Sequence, residues 1–265
     1  MGDSILTEID RETHVATLTL NKPDKLNAFD GELVDDWSAG LRELSADRDT
    51  HVIVVTGAGK AFCAGGDLAT LGEDVGALSR KEFLRDHVHR VEHALRAVEQ
   101  PVIAMINGAA MGAGLDMALL CDLRVAADEA KIGEAYVNLG LVPGDGGAWL
   151  LPRLVGPSRA LELLWTARVL SGTQAAEWGL VNRSVPRDNL ATETYELAAK
   201  LAAGPQLAQR LIKRAVYSGE DMPRATHYDM VSSLMAVAQS HPDFTGAVEL
   251  IQRGEKPSFN GDPRP

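Results

Sequence analysis

The sequence predicts an α/β fold with a helical C-terminal region. Strand-like and helix-like segments alternate up to about Val185, and from Asp188 onward the pattern is helical throughout. The internal strands are short continuous apolar runs, as expected of a sheet covered on both faces. With 265 residues, 45% hydrophobic and 24% charged, the chain is long enough for a sizeable core in one or two domains.

Ile5–Ile9 and Val15–Leu20 flank Asp10-Arg11-Glu12-Thr13 and read as a hairpin. A polar loop, Asn21–Asn27, leads to Asp30, which caps a helix with Leu33, Val34, Trp37, Leu41 and Leu44 on one face. Val52–Val55 reads as a buried strand feeding a Gly-rich loop, Gly57–Asp67. Ser79–Gln100 reads as one long amphipathic helix, stopped by Pro101, with Phe83, Leu84, Val88, Val91, Leu95 and Val98 as its apolar stripe. Val102–Ile106 is the next strand, and Asn107-Gly108 break it. Gly112-Ala113-Gly114 then lead into the apolar run Leu115–Leu120, which predicts a strand-to-helix turn. Such a turn presents backbone N–H groups at a helix N-terminus, where negative charge is favoured; a purely structural turn is the alternative.

Leu123–Ala126 reads as a strand and 131–147 as a loop-rich segment, followed by helices over Trp149–Val155 and Ser158–Ala167. Thr173 caps Gln174–Trp178, and Val181–Val185 is the last strand. Pro205, Pro223 and Pro242 lie near helix starts, and the tail Gly254–Pro265 is expected to fray.

A net charge of −11 argues against bulk binding to nucleic acid or to an anionic membrane. No run approaches a membrane span, and MGDSILTEID lacks a basic n-region and a long apolar h-region, so a cytoplasmic location is the default. Cys63 and Cys121 show no metal-type spacing and read as buried reduced thiols. His87, His89 and His93 read as a solvated helix face, because no HExxH acidic partner accompanies them; no metal is expected. GxSxG, Walker A, GxGxxG after a strand, and CxxC are all missing, so serine hydrolysis, ATP hydrolysis and dinucleotide redox chemistry lose support.

What remains is a pair of strand-to-turn junctions lined with small residues, Ala64-Gly65-Gly66 and Gly112-Ala113-Gly114. Two backbone N–H groups from separate loops are the usual construction of an oxyanion hole, and small residues let a carbonyl approach them. Here the chain resembles a known family. GKAFCAGGDL, INGAAMGAGLDMALLCD, LGLVPGDGGAWLLPRLVG and LSGTQAAEWGLVNRSVP, in this order over nearly the whole chain, are similar to the crotonase, or enoyl-CoA hydratase/isomerase, superfamily.

The resemblance implies a spiral of repeated ββα turns over residues 1–190 and a helical trimerisation region over 191–265, giving a homotrimer or a homohexamer. It implies an acyl-CoA thioester as substrate, with no cofactor beyond the CoA that arrives as part of that substrate. By the same match the oxyanion donors are the N–H groups of Gly66 and Ala113, and the adenine-binding segments map onto Lys25, Leu26, Ala64 and Asp67. Lys22, Lys25 and Lys60 are the nearest candidates for the CoA phosphates, with ordinary loop lysines as the alternative. Arg253 and Lys256 both compete for the C-terminal cation that many members lend to a neighbour's CoA.

The sequence departs from the family at the residues that hold water. Hydratases of the family use two glutamates; the first position here is Asp116, one methylene shorter, and the second is Tyr136, which is no carboxylate base at neutral pH. Glu134 lies two residues before Tyr136. Asp145 is the other candidate, in a loop where β-diketone hydrolases and naphthoate-forming synthases of the superfamily carry an acidic residue; an Asp bonding its own turn is the alternative. The expectation is therefore an enolate held at Gly66 and Ala113, with Asp116 and Asp145 in acid–base roles and Tyr136 shaping or hydrogen-bonding the site. By analogy with the family the formal activity is hydration of a 2-enoyl-CoA in fatty-acid or related acyl-CoA catabolism. Double-bond isomerisation comes second and β-diketone C–C hydrolysis third, and a noncatalytic acyl-CoA-binding module is the alternative to an enzyme.

Overall fold

In a computed structural model that describes residues 4–71 and 76–259, the apolar runs assemble into two sheets. Strands β1 (Ile5–Asp10) and β2 (Val15–Leu20) form the expected antiparallel hairpin. Strands β3 (Val52–Gly57), β4 (Ala61–Cys63), β5 (Val102–Ile106), β6 (Ala109–Met111), β7 (Leu123–Ala127), β8 (Ile132–Gly133), β9 (Val169–Leu170) and β10 (Arg183–Val185) follow. The large sheet has the order β1-β2-β3-β5-β7-β10, parallel from β2 onward, and the small one the order β4-β6-β8-β9. The three passes β3–β4, β5–β6 and β7–β8 each lay one strand in the large sheet and the next in the small one before a helical or turn segment returns the chain. That is the ββα spiral.

The helices are α1 (Gly31–Ala46), α2 (Leu68–Leu71), α3 (Gly76–Phe83), α4 (His89–Ala97), α5 (Ala113–Leu119), α6 (Gly147–Val155), α7 (Pro157–Thr166), α8 (Gly172–Trp178), α9 (Arg187–Ala202), α10 (Gln206–Ser218), α11 (Arg224–Ser240) and α12 (Pro242–Gln252). Asp30 caps α1 as expected, its Oδ1 accepting from the Leu33 N–H at 3.0 Å, and Leu33, Val34, Trp37, Leu41 and Leu44 are all buried. The β3 and β5 runs are buried along their whole length, as the covered parallel sheet requires. Cys63 and Cys121 are buried free thiols. Pro205 and Pro223 occupy the N-cap positions of α10 and α11, and Pro242 opens α12.

Several expectations change. The long helix over Ser79–Gln100 is three pieces: a π-helical turn, Leu84–Val88, separates α3 from α4. The extra residue of a π turn rotates the apolar stripe, so Phe83 and Leu84 line a cavity while Val91 and Leu95 stay in the core. The cap of α8 is Ser171, not Thr173: the Ser171 hydroxyl accepts from the Gln174 N–H and Gln174 Oε1 accepts from the Ser171 N–H, a closed capping box. Thr173 points instead to Asp128. The last strand is Arg183–Val185, shorter than the expected Val181–Val185. Helix α9 crosses the expected 190/191 division and packs on β2, β3, β5 and β7, with Leu190, Thr194, Ala198 and Ala202 buried. Of the tail expected to fray, residues 255–259 have no regular structure and 260–265 lie outside the described residues. No helix among the described residues is long and apolar enough to cross a membrane.

Candidate active site

The small sheet positions the site. Strands β4 and β6 run parallel and side by side, so the two Gly-rich junctions leave the sheet at the same edge. At the first junction Phe29 forms a parallel bridge with Gly66: the Phe29 N–H donates to Gly65 O and the Asp67 N–H to Phe29 O, both at 2.9 Å. A parallel bridge uses the peptides flanking its central residue, so the Gly66 N–H points away from it and has no partner among the described residues. At the second junction Gly112, at φ +52°, ends the strand path, and Ala113 opens α5 with one of the orphan amides of a helix N-terminus. The junctions touch: a Cβ on Gly65, at φ +94°, would stand 2.8 Å from Met111 O and 3.6 Å from Ala113 N. Gly66 and Ala113 both line one cavity of about 1210 Å³.

The walls of that cavity are mainly apolar, with Phe29, Phe83, Leu84, Val88, Leu139 and Leu141 among them. Lys25, Ala64 and Asp67 also line it, and Lys25 Nζ meets Asp67 Oδ2 at 2.7 Å, which holds the Asp67 carboxyl below its usual range. Leu26, in the left-handed region at φ 53°, and the exposed Lys60 do not reach the lining. Lys22 binds Asp30 at 2.9 Å and Glu32 at 3.2 Å, an anchor for the start of α1. Arg253 pairs with Glu249, and Lys256 is exposed.

Four ionisable side chains meet beside the oxyanion junction. Asp116 comes from the first turn of α5, Glu134 from the end of β8, Tyr136 from the 3₁₀ turn Tyr136–Leu139 that follows, and Asp145 from the loop before α6. Tyr136 Oη lies 2.6 Å from Asp116 Oδ2 and 2.8 Å from Asp145 Oδ2. Tyr136 and Asp145 line the cavity, whereas Asp116 and Glu134 are both 0% exposed and lie outside its lining. The structure thus brings Asp116, Tyr136 and Asp145 together but leaves Asp116 buried behind Tyr136, outside the cavity lining. The Asp145 loop is fixed from α4, where His89 Nε2 donates to Gly144 O at 2.8 Å.

Burial dominates the electrostatics. It raises Asp116 to about 7, against the Tyr136 hydrogen bond that works to lower it. It raises Glu134 to about 10, helped by the neighbouring Asp116 charge. Asp145 is also raised by burial, opposed by the Tyr136 hydroxyl and His89. Tyr136, desolvated and flanked by carboxyls, remains a phenol. One hydroxyl hydrogen serves one acceptor, so when both Tyr136 contacts are made, Asp116 or Asp145 must itself be protonated.

Sequence reasoning missed the place of Glu134 beneath this cluster and the tie from His89 to the Asp145 loop. No local pattern encodes either, because each depends on a contact between separate elements. His87 lies 3.1 Å from Asp35 Oδ2, and no group of three or more His, Cys, Asp or Glu side chains suited to a metal occurs among the described residues.

Comparison with known proteins agrees with the fold. A family model described as enoyl-CoA hydratase/isomerase matches residues 10–261. The chain is 35% identical to a 1,2-epoxyphenylacetyl-CoA isomerase of Escherichia coli, over 98% of this chain and 100% of the relative. It is 37% identical to a crotonyl-CoA hydratase of Syntrophomonas wolfei, over 82% of this chain and 84% of that one. A solved enoyl-CoA hydratase subunit of Geobacillus kaustophilus superposes with a TM-score of 0.91 at 36% identity, covering 97% of this chain and 98% of its own.

Proposed function

The chain belongs to the enoyl-CoA hydratase/isomerase family, and from that premise we propose that it moves the double bond of an enoyl-CoA by transferring one proton between two carbons. One observation carries this reading: of the clustered carboxyls, Asp145 alone faces the cavity. The remaining carboxyl of the lining, Asp67, is engaged by Lys25. In this reading the thioester oxygen accepts hydrogen bonds from the N–H groups of Gly66 and Ala113, which stabilise the negative charge that develops there. The Asp145 carboxylate takes a proton from C2 of a 3-enoyl-CoA as that C–H bond breaks. The pair of electrons enters the thioester enolate, the double bond shifts toward C2=C3, and Asp145 returns the proton to C4. A single carboxylate is sufficient for this sequence. The relative aligned along nearly the full length of both chains is named an isomerase, of an epoxyphenylacetyl-CoA, which supports rearrangement of a CoA thioester without added water rather than a double-bond shift in particular.

Hydration is the second reading. Tyr136 and Asp145 are adjacent on the cavity wall, a hydroxyl and a carboxyl between which a water could be held, and one relative is named as a crotonyl-CoA hydratase. The apolar walls suit an acyl chain or ring in either case. Exposed apolar side chains on α10–α12, among them Ile212, Val216, Tyr228 and Ile251, support self-association of this region into the expected trimer or hexamer.

Incubation with 3-enoyl-CoA and 2-enoyl-CoA in deuterated water, followed by mass spectrometry, separates the two. Isomerisation yields a shifted double bond with no added water, and hydration yields a product heavier by one water. Tight CoA binding with no product and no deuterium at C2 would leave a binding module in place of an enzyme.

A further inference from the structure

The buried half of the carboxyl cluster has no part in the chemistry above. Glu134 is 0% exposed, and neither of its carboxyl oxygens has an N–H or O–H donor. An ionised carboxylate left in that condition is strongly disfavoured, whereas a neutral carboxyl brings its own hydrogen to donate. The carboxyl it faces is that of Asp116. Asp116 Oδ1 and Glu134 Oε1 converge on the space left by the missing side chain of Gly147, where a Cβ would collide with the first and stand 3.1 Å from the second. The other ionisable groups around these residues are Tyr136, Asp145, His89 on the far side of Asp145, and Cys63 near Asp145. Among the described residues no Lys or Arg forms an ion pair with Asp116, Glu134 or Asp145.

We propose that Glu134 and Asp116 form a buried proton-holding pair that sets, through the Tyr136 hydroxyl, whether the cavity-facing Asp145 is an acid or a base. Glu134 is then a positioning residue, and the proposal rests on the reading of Asp145 as the group that moves the substrate proton. Two arrangements satisfy the same contacts. In the first, the negative charge is on Asp116, which accepts from the Glu134 and Tyr136 hydroxyls, while neutral Asp145 donates to Tyr136 Oη. In the second, the Asp145 proton has passed to Tyr136 Oη as the Tyr136 proton passed to Asp116 Oδ2. One O–H bond breaks and one forms at the tyrosine oxygen, and the charge moves from Asp116 to Asp145. The hops span 2.8 and 2.6 Å, so neither requires a heavy atom to move. The first arrangement presents a neutral wall to an entering apolar acyl group, and the second presents the base.

The test compares Glu134→Leu with Glu134→Gln. Leucine removes a donor to the charged form of the Asp116–Asp145 pair, so the apparent pKa of the pair rises and the acid limb of the kcat profile moves up by about one pH unit. Glutamine keeps an N–H for Asp116, and the limb stays within a few tenths of a unit, roughly the size expected for a retained donor. Equal shifts in the two variants, or a uniform loss of kcat with the limb unmoved, would reduce Glu134 to a packing residue. Carboxyl ¹³C NMR titration of the full chain, labelled at Asp and Glu, needs no substrate. A neutral Glu134 at neutral pH and coupled titration of Asp116 with Asp145 are expected, and an ionised Glu134 would overturn the proposal. If the carboxyls titrate as expected and no acyl-CoA is turned over, the buried pair stands and the acyl-CoA reading fails.

Discussion

Replacing Asp145 with asparagine is expected to lower acyl-CoA turnover by about 10²–10⁴-fold, the usual contribution of a positioned acid–base group. Deuterium exchange at C2 should fall in parallel, because both need the same proton transfer. The fold should not suffer. Asparagine is nearly isosteric, its amide can still meet Tyr136 Oη, and it removes a carboxyl whose ionisation burial disfavours. The sign follows from linkage: Asp145, Asp116 and Glu134 all have folded-state values raised above their ordinary ones, so the native chain binds more protons than the unfolded chain. Their contribution to stability is present in full below about pH 4 and is lost as pH rises, through about 7 for Asp116 and about 10 for Glu134. Urea unfolding at neutral pH should therefore find Asp145→Asn at least as stable as the parent chain, a trade of stability for function common at active sites. An inactive variant with a lowered urea midpoint would mean that Asp145 serves the turn rather than the chemistry. Full activity in the variant would remove it from the mechanism altogether.

What the sequence made legible was what local chemistry encodes. The β1–β2 hairpin, the Asp30 cap and the covered strands β3 and β5 each write their structure into four to eight neighbouring residues. The motifs around Gly66 and Ala113 made the paired junctions readable, and β4 and β6 do lie side by side. The small sheet itself was not readable. Its strands are two or three residues long, too short to show a period of two, and they exist because β4, β6, β8 and β9 meet one another across the spiral. The same limit applied to the carboxyls. Residue spacing placed Asp116 on the correct side of α5, but whether it faced the cavity depended on Tyr136, which reaches across from another element to cover it. Asp145 was a candidate by resemblance alone, and the contact that fixes its loop, from His89 on α4, lies in a distant element. Ser171 displaced Thr173 as a cap because Gln174 completes a reciprocal pair with Ser171.

Gly114→Ala should damage both the fold and the chemistry through a single methyl group. A Cβ there would collide with the carbonyl oxygen of Cys63 and lie 2.8 Å from its carbonyl carbon and 2.9 Å from its Cβ. These are mainly backbone atoms of a paired strand, so no side-chain rotation relieves the contact, and the N-terminus of α5 must move away from the end of β4. Overpacking of this kind costs about 1–3 kcal/mol of stability, read as a lowered urea midpoint. The larger effect falls on chemistry. The displacement separates the Ala113 N–H from the Gly66 N–H, and loss of one oxyanion donor lowers kcat by about 10²–10³-fold. Ala113→Gly is the control, since it deletes a methyl at the neighbouring position and keeps the amide. At the first residue of a helix it should cost at most about 1 kcal/mol and change turnover only a few-fold. The two substitutions thus exchange the same methyl group in opposite directions at adjacent residues, and only the one that pushes α5 away from β4 should lower kcat by that factor. Equal activity in both would mean that the Ala113 amide holds no developing charge, and the oxyanion reading of the two junctions would fall with it.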